Sequence, residues 1–295
     1  MQPSELAKGS LVAFVALVLS SSQRKDGADN HAITTVLIAT CIVCGLIFTQ
    51  NLSTALMIFG VIIVMMWLGR IPARQFYPLV LGLFVLFAAG FFTLRSLPDD
   101  SHHPFYQSKL TSRFCTWHHR VADDDMDTSV PADSFIITDG NRQKVHARIA
   151  VANGSIKGVL PGNSVQRDFL AQPFSDFIYA IIIEETGIEG AFVVAMLYII
   201  LLFRTGRIAN RCENNYPAFL AMGLALLLVV QALFNMCVAV GLVPVTGQPL
   251  PLISKGGTST IVNCVYIGII LSVSRTAKKV KDDTTNKRTV ATATA

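Results

Sequence analysis

Seven apolar segments constrain this chain more than any other feature of its sequence. They cover residues 6–22, 32–48, 53–68, 78–94, 177–203, 217–242 and 260–273. A helix needs ~20 apolar residues to cross a bilayer, where lipid offers its backbone no other hydrogen-bond partner. Only 15% of the residues are charged, which is well below the ~25% of a soluble domain. The sequence therefore predicts an all-α polytopic membrane protein with about seven transmembrane helices.

Basic residues at alternate ends of these segments predict the orientation. The basic set is Arg24, Lys25, Arg70, Arg74, Arg204, Arg207, Arg211, Arg275, Lys278, Lys279 and Lys281. The positive-inside rule places this set in the cytoplasm, and the net charge of +5 then reflects topology and not nucleic-acid binding. Residues 1–274 form the predicted transmembrane domain, with an extracytoplasmic loop over 95–176. The C-terminus is cytoplasmic, and the polar tail 275–295 is predicted to be disordered.

The first half of the large loop is rich in histidine and aspartate. His102–His103 and His118–His119 precede an acidic run at 123–125. Adjacent histidines point in different directions in most backbones, and an acidic run is typically solvated. A wet loop is therefore favoured over a metal site, and no metal site is identified.

The second half of the loop, "ANGSIKGVLPGNS", is rich in glycine. Gly154, Gly158 and Gly162 recur at intervals of four residues. Glycine suits turns and the close approach of a backbone to a ligand. Many surface loops share this composition, so the pattern by itself is compatible with either role.

Three carboxylates occur in the stretch "PFSDFIYAIIIEETG". Asp176 precedes the apolar run, where an aspartate would cap the helix and favour its positive end. On a helix, Glu184 would lie ~80° around and ~12 Å along from Asp176, and Glu185 on nearly the opposite face. Acids this close to a bilayer usually face a bundle interior or a water-filled cavity. Capping and a functional role remain open for Asp176, and the two can coexist.

The stretch "PVTGQPLPLISKGGTST", residues 244–260, is apolar but contains three prolines and three glycines. An irregular segment at membrane depth must be buried in protein or line a cavity. Lys255, Gly256 and Gly257 would offer a cation and exposed backbone N–H groups, which suit a phosphate or diphosphate. The alternative is a re-entrant packing loop in which Lys255 reaches water.

The start of the chain, "MQPSELAKG", places Glu5 and Lys8 three residues apart on one helix face. These two side chains either pair with each other or line a cavity. By the predicted topology, all of these stretches lie on the extracytoplasmic side. Together they predict a polar, charged cavity open to the outside that handles a charged, lipid-linked molecule.

The same stretches resemble the SEDS family, which includes FtsW, RodA and SpoVE. The resemblance rests on "QPSELAK", "GNSVQ…SDFIYAIIIEETGIEGA" and "VPVTGQPLPLISKGGTST", and its wording is most similar to the cell-division member. The resemblance implies a ten-helix fold, of which this chain holds the last seven helices. The chain begins inside the first motif, with Met1 at a phenylalanine position, so about three family helices would precede it.

The resemblance also implies an activity, a location and partners. Family members are glycosyltransferases that polymerise lipid II in the bacterial cytoplasmic membrane, here during septal wall synthesis in cell division. They act with a class B penicillin-binding protein, a transpeptidase, and with other divisome proteins. The leaving diphosphate needs countercharge, which Lys8, Lys255, loop arginines or a divalent cation (Mg²⁺ or Mn²⁺) could supply. No organic cofactor is expected.

The family's site residues carry over onto this sequence by motif. Asp176 takes the catalytic position, and a glycosidic linkage that changes from α to β requires one inverting displacement with a general base. The cavity residues implied are Glu5, Lys8, Asn163, Gln166, Glu184, Glu185, Lys255, Gly256 and Gly257, with Lys109 and Arg113 as candidates for the family's arginine-rich run.

Several positions depart from the family's pattern. Asn51 stands where the family has aspartate and Ser53 where it has glycine, while Ser175 replaces threonine. Ile183 replaces the glycine of a Gly-Glu-Glu triplet, and Lys255 replaces an aromatic residue.

Two other functions are compatible with these features. A transporter that flips lipid II would need charges along a path through the bilayer. A non-enzymatic divisome scaffold would tolerate Asp176→Asn. The charged residues singled out here lie on one side, which favours chemistry.

Overall fold

The computed structural model describes residues 3–24, 27–48, 51–82, 85, 142–170, 173–243 and 245–293. The helices are α1 (Pro3–Ser21), α2 (Asn30–Phe48), α3 (Leu52–Leu68), α4 (Arg142–Gly154), α5 (Ile178–Ala209), α6 (Asn215–Ala239) and α7 (Gly257–Ala293). A 3₁₀ turn covers Gln166–Asp168, and β1 (Gln23–Arg24) pairs antiparallel with β2 (Gly27–Ala28) between α1 and α2. The predicted all-α class is confirmed.

Among the residues that the structure describes, five helices are long and apolar enough to cross a membrane. They are Pro3–Ser21, His31–Phe48, Ile178–Ala209, Asn215–Ala239 and Gly257–Ala277. The 17-residue α3 is apolar but shorter. Residues 73–82 are helical, and most of the predicted span 78–94 lies outside the described residues. The count of seven spans therefore stays a prediction.

Helix α6 is the centre of the bundle and contacts α1, α3, α4, α5 and α7. Its Gly223 lies where three helices meet, because a Cβ there would be 2.6 Å from Met65 Cε on α3 and 2.7 Å from Val12 Cγ1 on α1. Leu224 and Leu227 of α6 are buried in the same apolar cluster. A small residue at 223 lets the backbones approach closely enough for these large side chains to interlock.

The last helix extends further than the composition of its tail predicts. Its apolar part ends at Ala277, close to the predicted domain boundary at residue 274. The polar tail, for which the composition predicts disorder, continues the helix to Ala293. Adding a residue to an existing helix costs much less than starting a new one, which favours such an extension.

Candidate functional site

Asp176 lies in the turn that leads into α5, but it does not cap the helix. The N-cap position is Phe177, which makes no side-chain capping bond. The Asp176 carboxylate instead accepts a hydrogen bond from Ser175 Oγ at 3.0 Å. The capping role considered from the sequence is therefore wrong, because the helix begins one residue too late for it. The carboxylate is left available for another partner.

An asparagine of α6 fixes the backbone of Asp176. Asn235 is 1% exposed, and its Nδ2 donates to the Asp176 carbonyl oxygen at 2.8 Å and to that of Gln248 at 2.7 Å. One buried amide therefore joins the turn before α5 to the segment 245–256, which we call the proline-rich loop.

The proline-rich loop also binds the same turn directly. Ser254 Oγ donates to the Ser175 carbonyl at 2.5 Å and accepts from the Leu250 N–H at 2.7 Å. The Lys255 N–H donates to the Phe174 carbonyl at 2.8 Å. The carbonyls of the two residues before Asp176 accept these bonds. The loop therefore fixes the backbone next to Asp176 and leaves its carboxylate uninvolved.

The Asp176 carboxylate is partly shielded from solvent. A Cβ at Gly247, whose φ is +66°, would lie 3.8 Å from Asp176 Oδ2, so the loop passes close over the carboxylate. Burial raises the pKa of Asp176 above its ordinary value, and the hydrogen bond from Ser175 lowers it to a smaller extent. A carboxylate with a raised pKa is a stronger base once it is ionised.

Glu5 and Lys8 pair with each other, as one of the two predicted alternatives has it. Lys8 Nζ lies 2.5 Å from Glu5 Oε1 and 3.3 Å from Gln231 Oε1, with Lys8 fully buried and Glu5 3% exposed. Gln231 Nε2 then donates to the Pro249 carbonyl at 3.1 Å. The charge pair on α1 is therefore linked through α6 to the proline-rich loop.

Helix α3 also holds the proline-rich loop through side-chain hydrogen bonds. Gln248 Nε2 donates to Thr54 Oγ1, and Asn51 Nδ2 donates to the Thr246 carbonyl at 3.3 Å. Asn51 also caps α3 by accepting from the Thr54 N–H at 3.3 Å. An ionised aspartate could accept this bond but could not donate the other, so Asn51 serves two contacts where the family's residue could serve one.

Glu184 anchors the glycine-rich half of the large loop. Its carboxylate is 1% exposed and accepts from Ser164 Oγ, from the Gln166 N–H at 3.3 Å and from Asn153 Nδ2 at 3.4 Å. Three donors from residues 153–166 compensate the burial of this charge. The structure thus places Glu184 and Gln166 in one cluster.

Helix α5 breaks next to this anchor. Gly187 has φ +72° and ψ −171° within the helix. The Ile188 N–H donates to the Ser155 carbonyl at 3.2 Å, and the Glu184 carbonyl accepts from the Val159 N–H at 2.9 Å. At the break, backbone groups of α5 therefore form hydrogen bonds with the loop. These bonds hold the loop against α5.

The remaining predicted site residues lie in varied surroundings. Glu185 is partly buried, and the exposed Asn163 donates to the Val159 carbonyl at 3.1 Å. Lys255 is exposed. Lys109 and Arg113 lie outside the described residues, as do the two histidine pairs of the large loop.

The glycine pair after Lys255 does not offer all the free N–H groups expected of it. The Lys255 N–H binds Phe174, and the Gly256 N–H donates to the Ser254 carbonyl at 2.9 Å. Gly257 begins α7. The prediction of exposed glycine amides is wrong for Gly256, because the loop folds back on its own neighbours.

Sequence reasoning missed the amides that connect these parts. Gln231 and Asn235 are four residues apart in an apolar stretch of α6, so they share one helix face. Polar side chains inside a span usually face the bundle interior. That spacing was a usable signal for a polar centre on α6.

The described residues do not form a resident metal site. They hold no group of three or more His, Cys, Asp or Glu side chains that could bind a metal ion. Mg²⁺ is often bound through one or two carboxylates together with substrate phosphates. A Mg²⁺ or Mn²⁺ ion carried in on a substrate diphosphate, with Asp176 nearby, stays a prediction.

Glu5 and Lys8, Asp176 and the proline-rich loop, which lie far apart in sequence, thus meet at one end of an apolar helical bundle. That arrangement defines a polytopic membrane protein with a polar site at one end. The model of the FtsW, RodA and SpoVE family, described as "Cell cycle protein", matches residues 1–279, and the chain belongs to this family.

The curated relatives carry names from cell-wall synthesis and sporulation. "Probable peptidoglycan glycosyltransferase FtsW" of Geobacter metallireducens is 30% identical over 280 residues, which are 94% of this chain and 68% of that protein. The protein of the same name from Nitrosococcus halophilus is 32% identical over 92% of this chain and 65% of its own length. "Stage V sporulation protein E" of Bacillus subtilis is 30% identical over 93% and 69%. The chain spans about two thirds of the length of these relatives.

Solved structures share the fold. A chain from "Structural coordination of polymerization and crosslinking by a peptidoglycan synthase complex" matches with a TM-score of 0.67 and 27% identity, over 94% of this chain and 70% of that one. The rod shape determining protein RodA of Thermus thermophilus matches with a TM-score of 0.58 and 22% identity, over 93% and 66%. The second likeness concerns the fold alone.

Proposed function

We propose that this protein is a peptidoglycan glycosyltransferase that polymerises lipid II into glycan strands during septal wall synthesis. The family and the names of the relatives support a glycosyltransferase role in cell-wall synthesis. The observation that carries the proposal is the state of Asp176. Its backbone is held by Asn235 and its neighbours by the proline-rich loop, while its carboxylate does not cap α5.

In the proposed reaction, Asp176 is the general base. A sugar 4-hydroxyl oxygen attacks the anomeric carbon of lipid II, and Asp176 accepts the hydroxyl proton. The carbon–oxygen bond to the diphosphate breaks, and its electron pair leaves with the diphosphate. Inversion converts the α-linked donor into a β-1,4-linked polymer. The raised pKa of Asp176 brings the base closer to the operating pH, where general-base catalysis is most efficient.

The departing diphosphate requires positive charge nearby. Lys8 is an unsuitable source, because it is fully buried and already paired with Glu5. We assign Lys8 a positioning role through Gln231 and the proline-rich loop. The exposed Lys255, loop cations such as Lys109 and Arg113, or a Mg²⁺ or Mn²⁺ ion bound to the substrate are the proposed sources.

The proposed partners and location follow from the family. The protein would act in the bacterial cytoplasmic membrane at the division septum, with its C-terminus in the cytoplasm. It would work with a class B penicillin-binding protein and other divisome proteins. A match to a chain from a "peptidoglycan synthase complex" supports a transpeptidase partner.

The test is polymerisation of labelled lipid II by the purified protein together with its transpeptidase, with products separated on a gel. Asp176→Asn is compared with Asp168→Asn, the same change at an aspartate whose side chain is 75% exposed. We expect polymer from the wild type and from Asp168→Asn, and none from Asp176→Asn. Equal polymer from all three would show that Asp176 is not the base. No polymer from any folded complex would favour a lipid II transporter or a scaffold.

A further inference from the structure

We propose that His146 is a positioning residue, which turns the side-chain amide of Gln166 so that its NH₂ group can donate a hydrogen bond to a sugar of the lipid-linked substrate. This inference rests on the proposed function, because it names the part of that substrate which Gln166 would contact. Gln166 closes the "GNSVQ" stretch of the large loop, whereas His146 lies 20 residues earlier, in α4.

A hydrogen bond between these two side chains joins α4 to the 3₁₀ turn. His146 Nδ1 lies 2.8 Å from Gln166 Oε1. An amide oxygen can only accept, so the imidazole donates through a proton on Nδ1. The two ends of a glutamine amide have nearly the same shape, and packing alone would not choose between them. The donor on His146 therefore turns the amide oxygen towards α4 and the amide nitrogen away from it.

The surrounding structure holds the imidazole in place. The His146 ring stacks on Phe169, with the ring centroids 5.3 Å apart and the planes 10° from parallel. Val145 and Ala147, its neighbours in α4, are buried. Phe169 is itself tied to the glutamine, since its N–H donates to the Gln166 carbonyl at 3.1 Å. The direction of the His146 donor is therefore fixed relative to the amide that it orients.

The other groups of Gln166 are engaged by its neighbours. Its N–H donates to the Glu184 carboxylate at 3.3 Å, and its carbonyl also accepts from the Leu170 N–H at 3.2 Å. The Nε2 atom donates to none of the residues that the structure describes. Within that part of the chain, Nε2 is thus the one hydrogen-bonding group of Gln166 that a ligand can still use.

An NH₂ group at this position suits the oxygens of a sugar. It carries two protons, which a hydroxyl oxygen or the carbonyl of an acetamido group can accept. The Phe169 ring beside it is 47% exposed, and aromatic side chains with a few well-placed polar groups are the usual lining of a ligand site. If the amide were reversed, its oxygen would face the ligand and could not donate to a carbonyl.

The charge around Gln166 favours a sugar over the diphosphate. The Glu184 carboxylate that binds the Gln166 N–H would repel an anion at this place. Glu184 is also six residues after Ile178, where α5 begins, and thus about 9 Å further along the helix axis. Because Asp176 lies just before that start, Gln166 would contact a part of the substrate away from the reacting carbon.

The experiment measures the Kd of two ligands for the full protein in phosphatidylcholine nanodiscs, so no turnover is needed. The ligands are lipid II and undecaprenyl diphosphate, which lacks the sugars. The test variants are His146→Leu, which removes the donor, Gln166→Met, which removes the amide, and the two combined. His146→Asn keeps an N–H donor close to the position of Nδ1. His31→Leu, at an exposed position of α2, is the control, and thermal unfolding checks that each variant is folded.

We expect His146→Leu to raise the Kd for lipid II about threefold to tenfold, which corresponds to one lost hydrogen bond, and to leave the Kd for undecaprenyl diphosphate unchanged. Gln166→Met should weaken lipid II binding at least as much. The double variant should bind no more weakly than Gln166→Met alone, because His146 acts through Gln166. His146→Asn should restore most of the affinity, and His31→Leu should bind both ligands as the wild type does.

Three results would overturn the proposal. The first is an unchanged Kd for lipid II in folded His146→Leu. The second is an equal loss for both ligands, which would show a general disturbance of the fold in place of a contact with the sugar. The third is additive losses in the double variant, which would mean that His146 acts independently of Gln166.

The two proposals can fail separately. If Asp176→Asn polymerises lipid II normally, the assignment of the base is wrong, yet the Kd values still decide the sugar contact. If the Kd for lipid II does not depend on His146, the positioning role is wrong, yet Asp176 can still be the base.

Discussion

The Nδ2 atom of Asn235 lies 2.8 Å from the carbonyl oxygen of Asp176, so the buried amide of α6 sets where the proposed base sits. The same nitrogen lies 2.7 Å from the Gln248 carbonyl. The position of the base and the position of the proline-rich loop therefore depend on one side chain.

Replacing Asn235 by alanine should weaken both stability and activity. The Asp176 and Gln248 carbonyls would each lose a donor, and an unsatisfied buried group costs about 1–3 kcal/mol, so the free energy of unfolding should fall by about 2 kcal/mol or more. Thermal unfolding and the polymerisation rate measure the two effects. Asn214→Ala is the control, since Asn214 is exposed and makes no side-chain capping bond. Equal stability in the two variants would contradict the role of Asn235.

The acid side of the pH–rate profile should report Asp176. The base must be deprotonated, and burial raises its pKa, so the rate should rise with pH at values above those of an ordinary carboxyl group. Ser175→Ala removes the hydrogen bond that lowers this pKa and should shift the rise to higher pH. Ser10→Ala, at an exposed position of α1, should leave the profile unchanged. A profile that Ser175→Ala does not move would argue against Asp176 as the titrating group.

The raised pKa of Asp176 also makes the stability of the protein depend on pH. A carboxyl group whose pKa is raised by folding contributes stability below its unfolded-state pKa, and that contribution is lost as the pH rises through the folded-state pKa. The wild type carries a partly desolvated charge on Asp176 above that pH, and Asp176→Asn removes it. The variant should therefore unfold at a higher temperature than the wild type at neutral pH, while the two converge in acid.

Glu184→Ala should loosen the glycine-rich half of the large loop. The donors Ser164, Gln166 and Asn153 would lose their shared acceptor, and a charged acceptor contributes about 1.5–3 kcal/mol per hydrogen bond. Hydrogen–deuterium exchange over residues 153–166 should become faster. The exposed Glu189 provides the control variant Glu189→Ala. Unchanged exchange in Glu184→Ala would show that the carboxylate is not the anchor.

Gly187→Ala should disrupt the break in α5. Its φ of +72° disfavours any residue with a Cβ, and that atom would overlap the Ile156 carbonyl. We expect a loss of about 2 kcal/mol or more in the free energy of unfolding. Gly268→Ala, in α7 with open space around it, should be neutral or slightly stabilising. Equal melting temperatures for the two variants would mean that the loop does not dock in the break.

The convergence of the site could be predicted from the sequence, because spans of alternating direction bring their ends to the same side. Glu5 and Lys8 start one helix, Asp176 precedes another, and the proline-rich loop joins two more. Their meeting in the structure agrees with that argument. The spacing of Glu5 and Lys8 along α1 left two alternatives open, a mutual pair or a shared cavity lining, and the structure shows the pair.

The contacts themselves could not be predicted. An aspartate before an apolar run usually caps the helix, but the hydrogen bonds from Ser254 and Lys255 to the preceding turn delay the start of α5 until Ile178. The position of Glu184 in an apolar run predicted that its side chain would be buried, but its hydrogen-bond partners could not be predicted. Its donors lie 18 to 31 residues away in an irregular loop. Such long-range polar contacts depend on the packed fold.

The most direct test of the central claim is the initial rate of lipid II polymerisation by Asp176→Asn relative to the wild type, at saturating substrate and with the melting temperature of each complex measured. Loss of a general base typically costs ~10²- to 10⁴-fold in rate. We predict a decrease of about 100-fold or more in a variant that is at least as stable as the wild type. A rate within about twofold of the wild type would show that Asp176 is not the general base.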